Sequence, residues 1–462
     1  MKRALSVLLM ATMLIGVFAG YGNSEAFAES EKIELTYWYR ASGSEENNQT
    51  IAIEAFNNSQ DRIHVTTEMF GENYQEVLKL AFNSGDAPDF FEGSGSMDIK
   101  GFAEAELIIP IDEYLTEEYK TGFNPSAFTT HKYGGKVYGI PDMMRFQRLY
   151  YNRTLFENAG LNPDAPPTTL EEMYEMAKKI TEAGNGISYG FGLPMKSTST
   201  WERNIDVMSV LSGLTGAYAF DYKTGQFNFN LQKPFIEYFA KMKSEGILLP
   251  GAESMDIEMI RANFLAGNVA MYSDGNWMVN GYCNDIPGGN DIDWDCTAIP
   301  IFEGTERAKD YMTLDSGRFI TSTCKYPKEA FEAVDFVLKN LFTAQVKKYP
   351  DMPMPSLSLI ESINKEANAN PSVAALTGIE GLMKDEEQLA SFAVVPYKVL
   401  VLEGENRDNI YPLLILESGS YDIDKELTKL NETYNNALQV ALDEGLLNIE
   451  DIKIEGFDYY TR

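Results

Sequence analysis

Hydrophobic residues in the first part of the chain alternate between a period of two and a period near 3.6. The first period is typical of strands and the second of helices. The pattern predicts strand, helix, strand, helix and short strand, in that order, at Ile33–Tyr39, Asn47–Asn57, Ile63–Thr67, Tyr74–Phe82 and Asp89–Phe91. Because helical connections within one sheet join parallel strands with a right-handed crossover, this order predicts a parallel, doubly wound α/β lobe.

A second set of patterns follows further along the chain. Thr168 or Thr169 precedes Glu171 and Glu172, which is a typical helix start because the threonine oxygen can accept a bond from a free backbone N–H. The other predicted elements are helices at Leu231–Lys243, Ile257–Ala266, Lys328–Leu341 and Asp424–Leu446 and a strand at Asn268–Tyr272. The mixture predicts α/β structure along the whole chain.

The first residues have the features of a secretory signal. Lys2-Arg3 is followed by the apolar run Leu5–Phe18, and Ala26-Phe27-Ala28 has small residues where a signal is cleaved. Residues 1–28 are therefore predicted to be a signal peptide. The protein is expected to be exported and extracellular or associated with the cell surface, or periplasmic if the source has an outer membrane. Tyr21 stands where a lipoprotein has its acylated cysteine, so we expect release rather than a lipid anchor.

The charge of the chain excludes some partners. There are 38 Lys and Arg residues against 69 Asp and Glu residues, which gives a formal net charge of −31. Such acidity repels phosphate backbones and anionic lipid headgroups, so no nucleic-acid partner is predicted.

Cysteines and histidines are few. The chain has Cys283, Cys296 and Cys324, together with His64 and His131. No spacing suits a zinc site and neither histidine lies near a nucleophile motif, so no metal, other cofactor or catalytic relay is predicted. Cys283 and Cys296 bracket a loop rich in Gly and Asp. They can form a disulfide in an oxidising compartment or stay reduced like the third cysteine.

Short motifs spread over most of the chain after residue 28 point to one family. They are Ser84–Asp89 (G-x-x-P-D), Gly134–Pro141 (G-K-x-Y-G-I-P), Leu149–Phe156, Pro167–Glu172, Phe264–Met271, Gly275–Trp277 and Cys324–Phe336. Each motif is weak alone. Together and in this order they resemble the bacterial extracellular solute-binding proteins of the carbohydrate-binding, maltose-binding-like type, which serve ABC importers.

The resemblance implies an α/β fold of two doubly wound lobes joined by a multi-segment hinge, periplasmic-binding-protein-like of type II. Lobe 1 is predicted to comprise residues 29–140 plus 315–346, and lobe 2 residues 141–314 plus 347–462. The chain is expected to cross between the lobes near Gly139–Pro141, Asp315–Arg318 and Lys347–Pro355, with the ligand cleft between the lobes and closure by hinge motion.

In lobe 2 the resemblance implies ligand contacts at Trp201, Asp274 and Trp277. Trp277 matches the aromatic residue that stacks on a sugar ring in the family, and Asp274 is expected to accept hydrogen bonds from sugar hydroxyls. Trp201 matches another stacking aromatic residue, and its polar neighbours favour a loop. Burial in the core is the alternative for both tryptophans.

In lobe 1 the candidate contacts lie at the ends of strands, where parallel sheets bind ligands. Trp38, Tyr39 and Arg40 end the first strand and Glu92 ends the third. Because strand residues alternate, Trp38 and Arg40 share a face, and Trp38 can instead be a core residue. Gly93-Ser94 replaces a tryptophan and an aspartate that better-known relatives have nearby, which leaves the sugar unidentified.

The crossings supply the remaining candidates. Asp142 and Arg145 follow the first crossing, where relatives carry polar ligand contacts. Asp315 and Arg318 lie at the return crossing and can equally form a salt bridge between the lobes.

The predicted function is that of a monomeric binding protein, not an enzyme. It captures a small-molecule carbohydrate, expected to be an oligosaccharide, and delivers it to the permease subunits of an ABC importer. Two alternatives remain open: a secreted carbohydrate-active enzyme that uses paired carboxylates, and a binding protein for a non-sugar ligand such as a peptide.

Overall fold

A computed structural model gives the architecture. It describes residues 32–460 apart from 41–47, 72, 94–96, 98, 124, 129, 198, 281, 283–287, 312–313, 315, 349–356, 359, 361, 363–388 and 391–395. Several predicted features lie outside the described residues: the signal peptide, Cys283, Asp315 and most of the crossing at Lys347–Pro355. Of that crossing only Lys347 and Lys348 are described, and they belong to a helix.

The strands and helices alternate as the sequence predicts. The strands are β1 (Ile33–Arg40), β2 (Ile63–Phe70), β3 (Phe90–Gly93), β4 (Lys132–Tyr133), β5 (Lys136–Val137), β6 (Gly139–Ile140), β7 (Met143–Met144), β8 (Gln147–Asn152), β9 (Tyr189–Phe191), β10 (Phe220–Asp221), β11 (Gln226–Phe227), β12 (Val269–Gly275), β13 (Trp294–Thr297), β14 (Asp310–Tyr311), β15 (Gly317–Ile320), β16 (Leu357–Ser358) and β17 (Leu389–Ala390). The helices are α1 (Asn48–Ser59), α2 (Tyr74–Ser84), α3 (Ile99–Glu104), α4 (Glu117–Lys120), α5 (Arg153–Asn158), α6 (Leu170–Gly184), α7 (Val207–Leu211), α8 (Lys233–Ser244), α9 (Ile257–Leu265), α10 (Met278–Asn280), α11 (Pro327–Lys348), α12 (Arg407–Leu416), α13 (Ile423–Asp443) and α14 (Ile449–Ile452).

The first sheet has the strand order β2-β1-β3-β15-β6. Strand β1 is parallel to both β2 and β3, with Tyr37 opposite Phe90. Strand β15 returns from much later in the chain and runs antiparallel to β3 and β6. The helices α1 and α2 connect β1, β2 and β3, so the predicted parallel, doubly wound lobe is confirmed.

The second sheet has the strand order β13-β8-β12-β9. Strand β12 is parallel to β9 and antiparallel to β8, which pairs in turn with β13. All seven residues of β12 are buried because this central strand is covered on both faces. The strands of the two sheets come from the residues predicted for lobe 1 and lobe 2 respectively, while the lobe boundaries themselves stay a prediction.

Local sequence signals account for several element ends. Thr169 begins α6 with a capping box, in which its side chain and that of Glu172 each accept a bond from the other's backbone N–H. The C-terminal helix α13 ends at Asp443, three residues before the predicted end. Gly445 has a φ of 73°, a left-handed conformation that commonly follows the end of a helix.

Phe319 on β15 fills a space that two glycines leave open in the first sheet. A Cβ atom at Gly93 on β3 would lie 2.4 Å from the Phe319 ring, and one at Gly139 on β6 would lie 2.6 Å from it. The ring is fully buried, so both neighbouring strands need glycine for β15 to pair between them.

The described residues include no helix that is both long and apolar enough to cross a membrane. They also include no group of three or more His, Cys, Asp or Glu side chains that are placed to hold a metal ion.

Candidate functional site

The three candidate residues at the end of β1 differ in their burial. Tyr39 is buried in the hydrophobic core of the first sheet, and its hydroxyl lies 2.7 Å from Thr50 Oγ1. Trp38 is partly buried and packs on Phe70 with ring centroids 4.9 Å apart, while Arg40 is exposed. The expected alternation of burial along β1 is therefore present. Tyr39 lies in the core in this conformation, and its assignment as a ligand contact stays a prediction.

Glu92 lies at the end of β3 beside Arg40. The backbone N–H of Arg40 donates to the Glu92 carboxylate over 3.2 Å, and the side chain of Glu92 is partly exposed. Burial raises the pKa of Glu92 to about 7; the negative charge of Asp142 adds to this, and the cations Arg318 and Arg145 oppose it. Glu92 therefore faces charged groups from both predicted crossings.

Arg318 is the centre of a buried polar cluster beneath this edge of the sheet. Its Nη1 donates to Asp142 Oδ2 over 3.1 Å, its Nε donates to the hydroxyl of Tyr37 over 3.0 Å, and its Nη2 donates to Gln49 Oε1. Arg318 and Asp142 are 2% and 0% exposed, so both are buried in this conformation, and their assignment as ligand contacts stays a prediction. The salt-bridge alternative for Arg318 is realised with Asp142, while Asp315 lies outside the described residues.

Trp277 stands just beyond the end of β12 in the second sheet. Its side chain is partly exposed, and its ring packs against the backbone of Gly275, where an added Cβ would lie 2.0 Å from the ring. The guanidinium carbons of Arg145 and Arg203 each lie 5.9 Å from the ring centroid. This is within the range of a cation–π contact. The ring is thus held in place by glycine beneath it and by a cation on each of two neighbouring segments.

Asp274 is buried among arginines and does not present a free carboxylate. Its Oδ2 accepts a bond from Arg261 Nε over 2.8 Å, and its Oδ1 lies 3.5 Å from Arg203 Nε. Asp274 is 0% exposed and orients two arginines in this conformation. Its role as an acceptor for sugar hydroxyls stays a prediction.

Trp201 lies in the hydrophobic core of the second sheet. It is 0% exposed and packs edge-on against Tyr411 of α12 with ring centroids 5.3 Å apart. The alternative of burial in the core therefore describes Trp201 in this conformation, and its role as a stacking residue stays a prediction. The polar flanks belong to a helical turn over Glu202–Asp206, which directs Trp201 inward while Arg203 reaches Trp277.

Two residues of the site carried no signal in the sequence. Arg203 and Arg261 share Asp274, but neither stands in a recognisable motif, and they come from separate elements. Only the burial of Asp274 at the end of β12 shows why positive partners are needed there.

One family accounts for most of these elements. The family described as bacterial extracellular solute-binding protein matches residues 42–340, well over half of the chain. The chain belongs to this family. The match covers Glu92 of β3, the crossing that carries Asp142 and Arg145, and the end of β12 with Trp277, so these parts of the site lie within the solute-binding protein domain.

Solved structures show the fold of this solute-binding protein. An ABC substrate-binding protein from Listeria monocytogenes, solved in complex with cycloalternan, matches it with a TM-score of 0.66 and 18% sequence identity, covering 88% of this chain and 100% of that one. The predicted fold, two doubly wound α/β lobes joined by a multi-segment hinge as in type II periplasmic binding proteins, is confirmed.

Relatives of known name are binding proteins. This chain is 31% identical over 206 residues to the maltotriose-binding protein of Pyrococcus abyssi, covering 44% of this chain and 41% of that protein. It is 26% identical over 320 residues to the sn-glycerol-3-phosphate-binding periplasmic protein of Brucella abortus, covering 64% and 68%. The chain spans about half the length of the first curated relatives that it matches.

Proposed function

We propose that this protein captures a carbohydrate, with an oligosaccharide the expected form, in the cleft between its lobes and delivers it to an ABC importer. The observation that carries the proposal is the ring of Trp277, partly exposed and fixed against Gly275 at the end of a central strand. A rigid aromatic face with polar groups around it suits the CH face and the hydroxyls of a sugar ring.

The ends of the two sheets supply complementary groups to this cleft. Arg145 on the first crossing lies close enough to Glu92 to lower its pKa, and its guanidinium also lies 5.9 Å from the Trp277 ring. A ligand at Trp277 would therefore lie within reach of polar groups from both sheets. This supports a site that forms between the lobes rather than on one of them.

Two anchors confine the bending of the first crossing to three residues. Asp142 is tied to Arg318 of the first sheet, while Phe146 is tied to Asn276 beside Trp277 by two hydrogen bonds of 3.0 and 3.3 Å. The residues between these anchors are 143–145. We place the hinge there, where Met143–Met144 pairs with Leu357–Ser358, which follows the predicted crossing at Lys347–Pro355. Closure would then carry Arg145 with the hinge and bring Glu92 toward Trp277.

The proposal includes the surroundings in which the protein works. Family members are extracellular, and the named relatives and the matched structure are binding proteins, with maltotriose and cycloalternan among their ligands. By analogy this protein would be exported, would act as a monomer and would dock on permease subunits. The formal net charge of −31 is suited to docking on basic permease loops, and docking of that kind should weaken as salt is added.

A thermal-shift screen against neutral and charged mono- and oligosaccharides tests the proposal. A ligand at a hundred times its dissociation constant stabilises the native state by about 2.7 kcal/mol, which is a readily measured shift. Calorimetry on each hit should then show that Trp277→Ala weakens binding at least about tenfold, which corresponds to about 1.4 kcal/mol. Tyr326→Ala is the matched control, since Tyr326 is an exposed aromatic residue ahead of α11.

Three outcomes would contradict the proposal. Saturable binding of a peptide or polyamine, with no response to any sugar, would show that the ligand is not a carbohydrate. Sugar binding that is equally strong in Trp277→Ala and Tyr326→Ala would move the site elsewhere. Release of shorter products from a bound oligosaccharide would show catalysis by paired carboxylates.

A further inference from the structure

The guanidinium group of Arg203 is incompletely satisfied. Its side chain is 13% exposed, and its Nη1 is buried without a hydrogen-bond partner among the described residues. Its Nε lies 3.5 Å from Asp274 Oδ1, which is an ion pair at longer than hydrogen-bond distance. Buried donors in folded proteins nearly always have a partner, so this one points to an acceptor that binds from outside the chain.

The carboxylate of Asp274 does not neutralise both of its arginines. Arg261 makes the shorter contact, 2.8 Å from its Nε to Asp274 Oδ2, and Arg261 also pairs with the exposed Glu258. The second oxygen, Oδ1, already accepts the backbone N–H of Gly275 over 2.8 Å. One buried negative charge therefore interacts with two guanidinium groups, and its interaction with Arg203 is the weaker one because the distance is longer.

A second guanidinium approaches the same ring from the hinge. Arg145 lies as far from the Trp277 centroid as Arg203 does, 5.9 Å in each case, and it makes further contacts of its own. One acidic residue near Arg145 is Glu92, whose pKa burial raises to about 7. Near neutral pH Glu92 is therefore only partly ionised, so Glu92 itself balances only part of the charge of Arg145.

This concentration of positive groups contrasts with the rest of the chain. The chain carries a formal net charge of −31, which repels anions in general. An anionic ligand would therefore need a local site, and arginine is the side chain best suited to it because its planar fork matches a carboxylate or phosphate.

We infer that the sugar bound at Trp277 carries an anionic group, with its ring stacked on Trp277 and its charge on the free Nη1 side of Arg203. This inference rests on the proposed function and adds the class of ligand: acidic sugars, either uronic-acid oligosaccharides or sugar phosphates. The Trp277 ring supplies an apolar face that suits any sugar ring, and Arg203 distinguishes acidic sugars from neutral ones. The hydroxyl oxygen of a neutral sugar can accept a hydrogen bond from Nη1, but it leaves the charge of Arg203 unbalanced.

Matched pairs of ligands test this inference on the full-length mature protein. Calorimetry at low salt would compare galacturonic-acid oligosaccharides with galacto-oligosaccharides, glucuronic-acid-substituted with unsubstituted xylo-oligosaccharides, and glucose 6-phosphate with glucose. Within a pair that shows binding, we expect the acidic sugar to bind at least tenfold more tightly than its neutral counterpart. This preference should become smaller as the salt concentration rises. The uronic-acid and phosphate arms distinguish the two sources of the anion.

Variants assign the preference to Arg203. In Arg203→Gln the acidic-to-neutral preference should fall below about threefold, while Arg203→Lys, which keeps the charge, should retain part of it. The control is Arg62→Gln, which makes the same change in net charge at an arginine that pairs with Glu329 and Glu332. Thermal unfolding of each variant verifies that it is folded; if Arg203→Gln is not, Arg203→Lys carries the comparison.

The possible results separate this inference from the proposed function. If neutral sugars bind as tightly as their acidic partners, the inference is wrong and the sugar-binding function stands. If the preference is unchanged in Arg203→Gln, Arg203 does not select the anion. If no sugar of either kind binds, the proposed function fails and the inference fails with it.

Discussion

The buried pair of Asp142 and Arg318 provides the sharpest test of how the structure is held together. In Asp142→Asn the side chain keeps its shape but loses its charge, so the guanidinium of Arg318 stays 2% exposed with neutral partners in Tyr37 and Gln49. Removing one partner of a buried ion pair typically costs about 3–5 kcal/mol. Glu92 lies near enough to Arg318 to offset part of that cost, so we expect about 3 kcal/mol.

The temperature shift depends on how much of the chain unfolds together. The entropy of unfolding is about 2.1 cal/mol/K per residue, or about 0.9 kcal/mol/K for the whole mature chain, so 3 kcal/mol lowers Tm by about 3 °C. If the predicted lobe 1, about 150 residues, unfolds as a separate unit, its entropy of unfolding is smaller, and the same loss of 3 kcal/mol lowers its Tm by about 10 °C. Calorimetry therefore reports both the strength of the pair and the cooperativity of the lobes.

The control is Asp164→Asn, the same chemical change in an exposed ion pair. Asp164 lies 2.6 Å from Arg153 Nη2 and its side chain is 75% exposed, so we expect a loss of no more than about 1 kcal/mol. Urea denaturation would give the two free energies of unfolding directly. If Asp142→Asn costs no more than Asp164→Asn, burial does not strengthen the Arg318 pair and the reasoning is refuted.

Three further predictions follow from single contacts. Because the pKa of Glu92 rises from its ordinary value of 4.5 to about 7 on folding, Glu92 destabilises the folded protein increasingly as pH rises from about 4.5 to 7. The Tm advantage of Glu92→Gln over the wild type should therefore grow between pH 5 and 8, and a Tm difference that stays constant over this range would contradict the prediction. Gly93→Ala should cost about 1–3 kcal/mol in urea denaturation, since its Cβ would meet Phe319, whereas Gly71→Ala, with nothing within 4 Å, should be near neutral. Thr169→Ala should cost about 1 kcal/mol in the same assay by removing the cap of α6, and a loss under 0.3 kcal/mol would show that the capping box adds little.

The order of secondary structure could be predicted because it depends on local patterns. The alternation of periods identified β1, α1, β2, α2 and β3 in lobe 1, and the capping signal at Thr169 placed the start of α6. These features arise within a few residues of sequence, so a single chain reveals them. The return of β15 to the first sheet depends on pairing between distant strands, and only the family resemblance indicated it.

The candidate site was predicted less completely because burial is a property of the tertiary structure. Trp201 has polar neighbours on both sides, yet its own side chain packs under Tyr411, far away in the sequence. Asp274 is predicted to meet a ligand, and nothing in the sequence showed that it also pairs with Arg203 and Arg261. A carboxylate looks the same in sequence whether it faces a sugar or an arginine. The positions of candidate strands were therefore predicted better than the exposure of the residues upon them.

The glycine at position 93, at the end of β3, has a structural reason that is independent of the ligand. A side chain at Gly93 would collide with Phe319, whose ring also occupies the space above Gly139. Glycine at position 93 is therefore required by the packing of β15, whichever sugar binds. The proposal about the ligand depends instead on the second sheet, where the Trp277 ring is the proposed apolar face and Arg203 has a donor without a partner among the described residues. Selection in this protein is thus expected to depend on charge at lobe 2 more than on a second stacking ring at lobe 1.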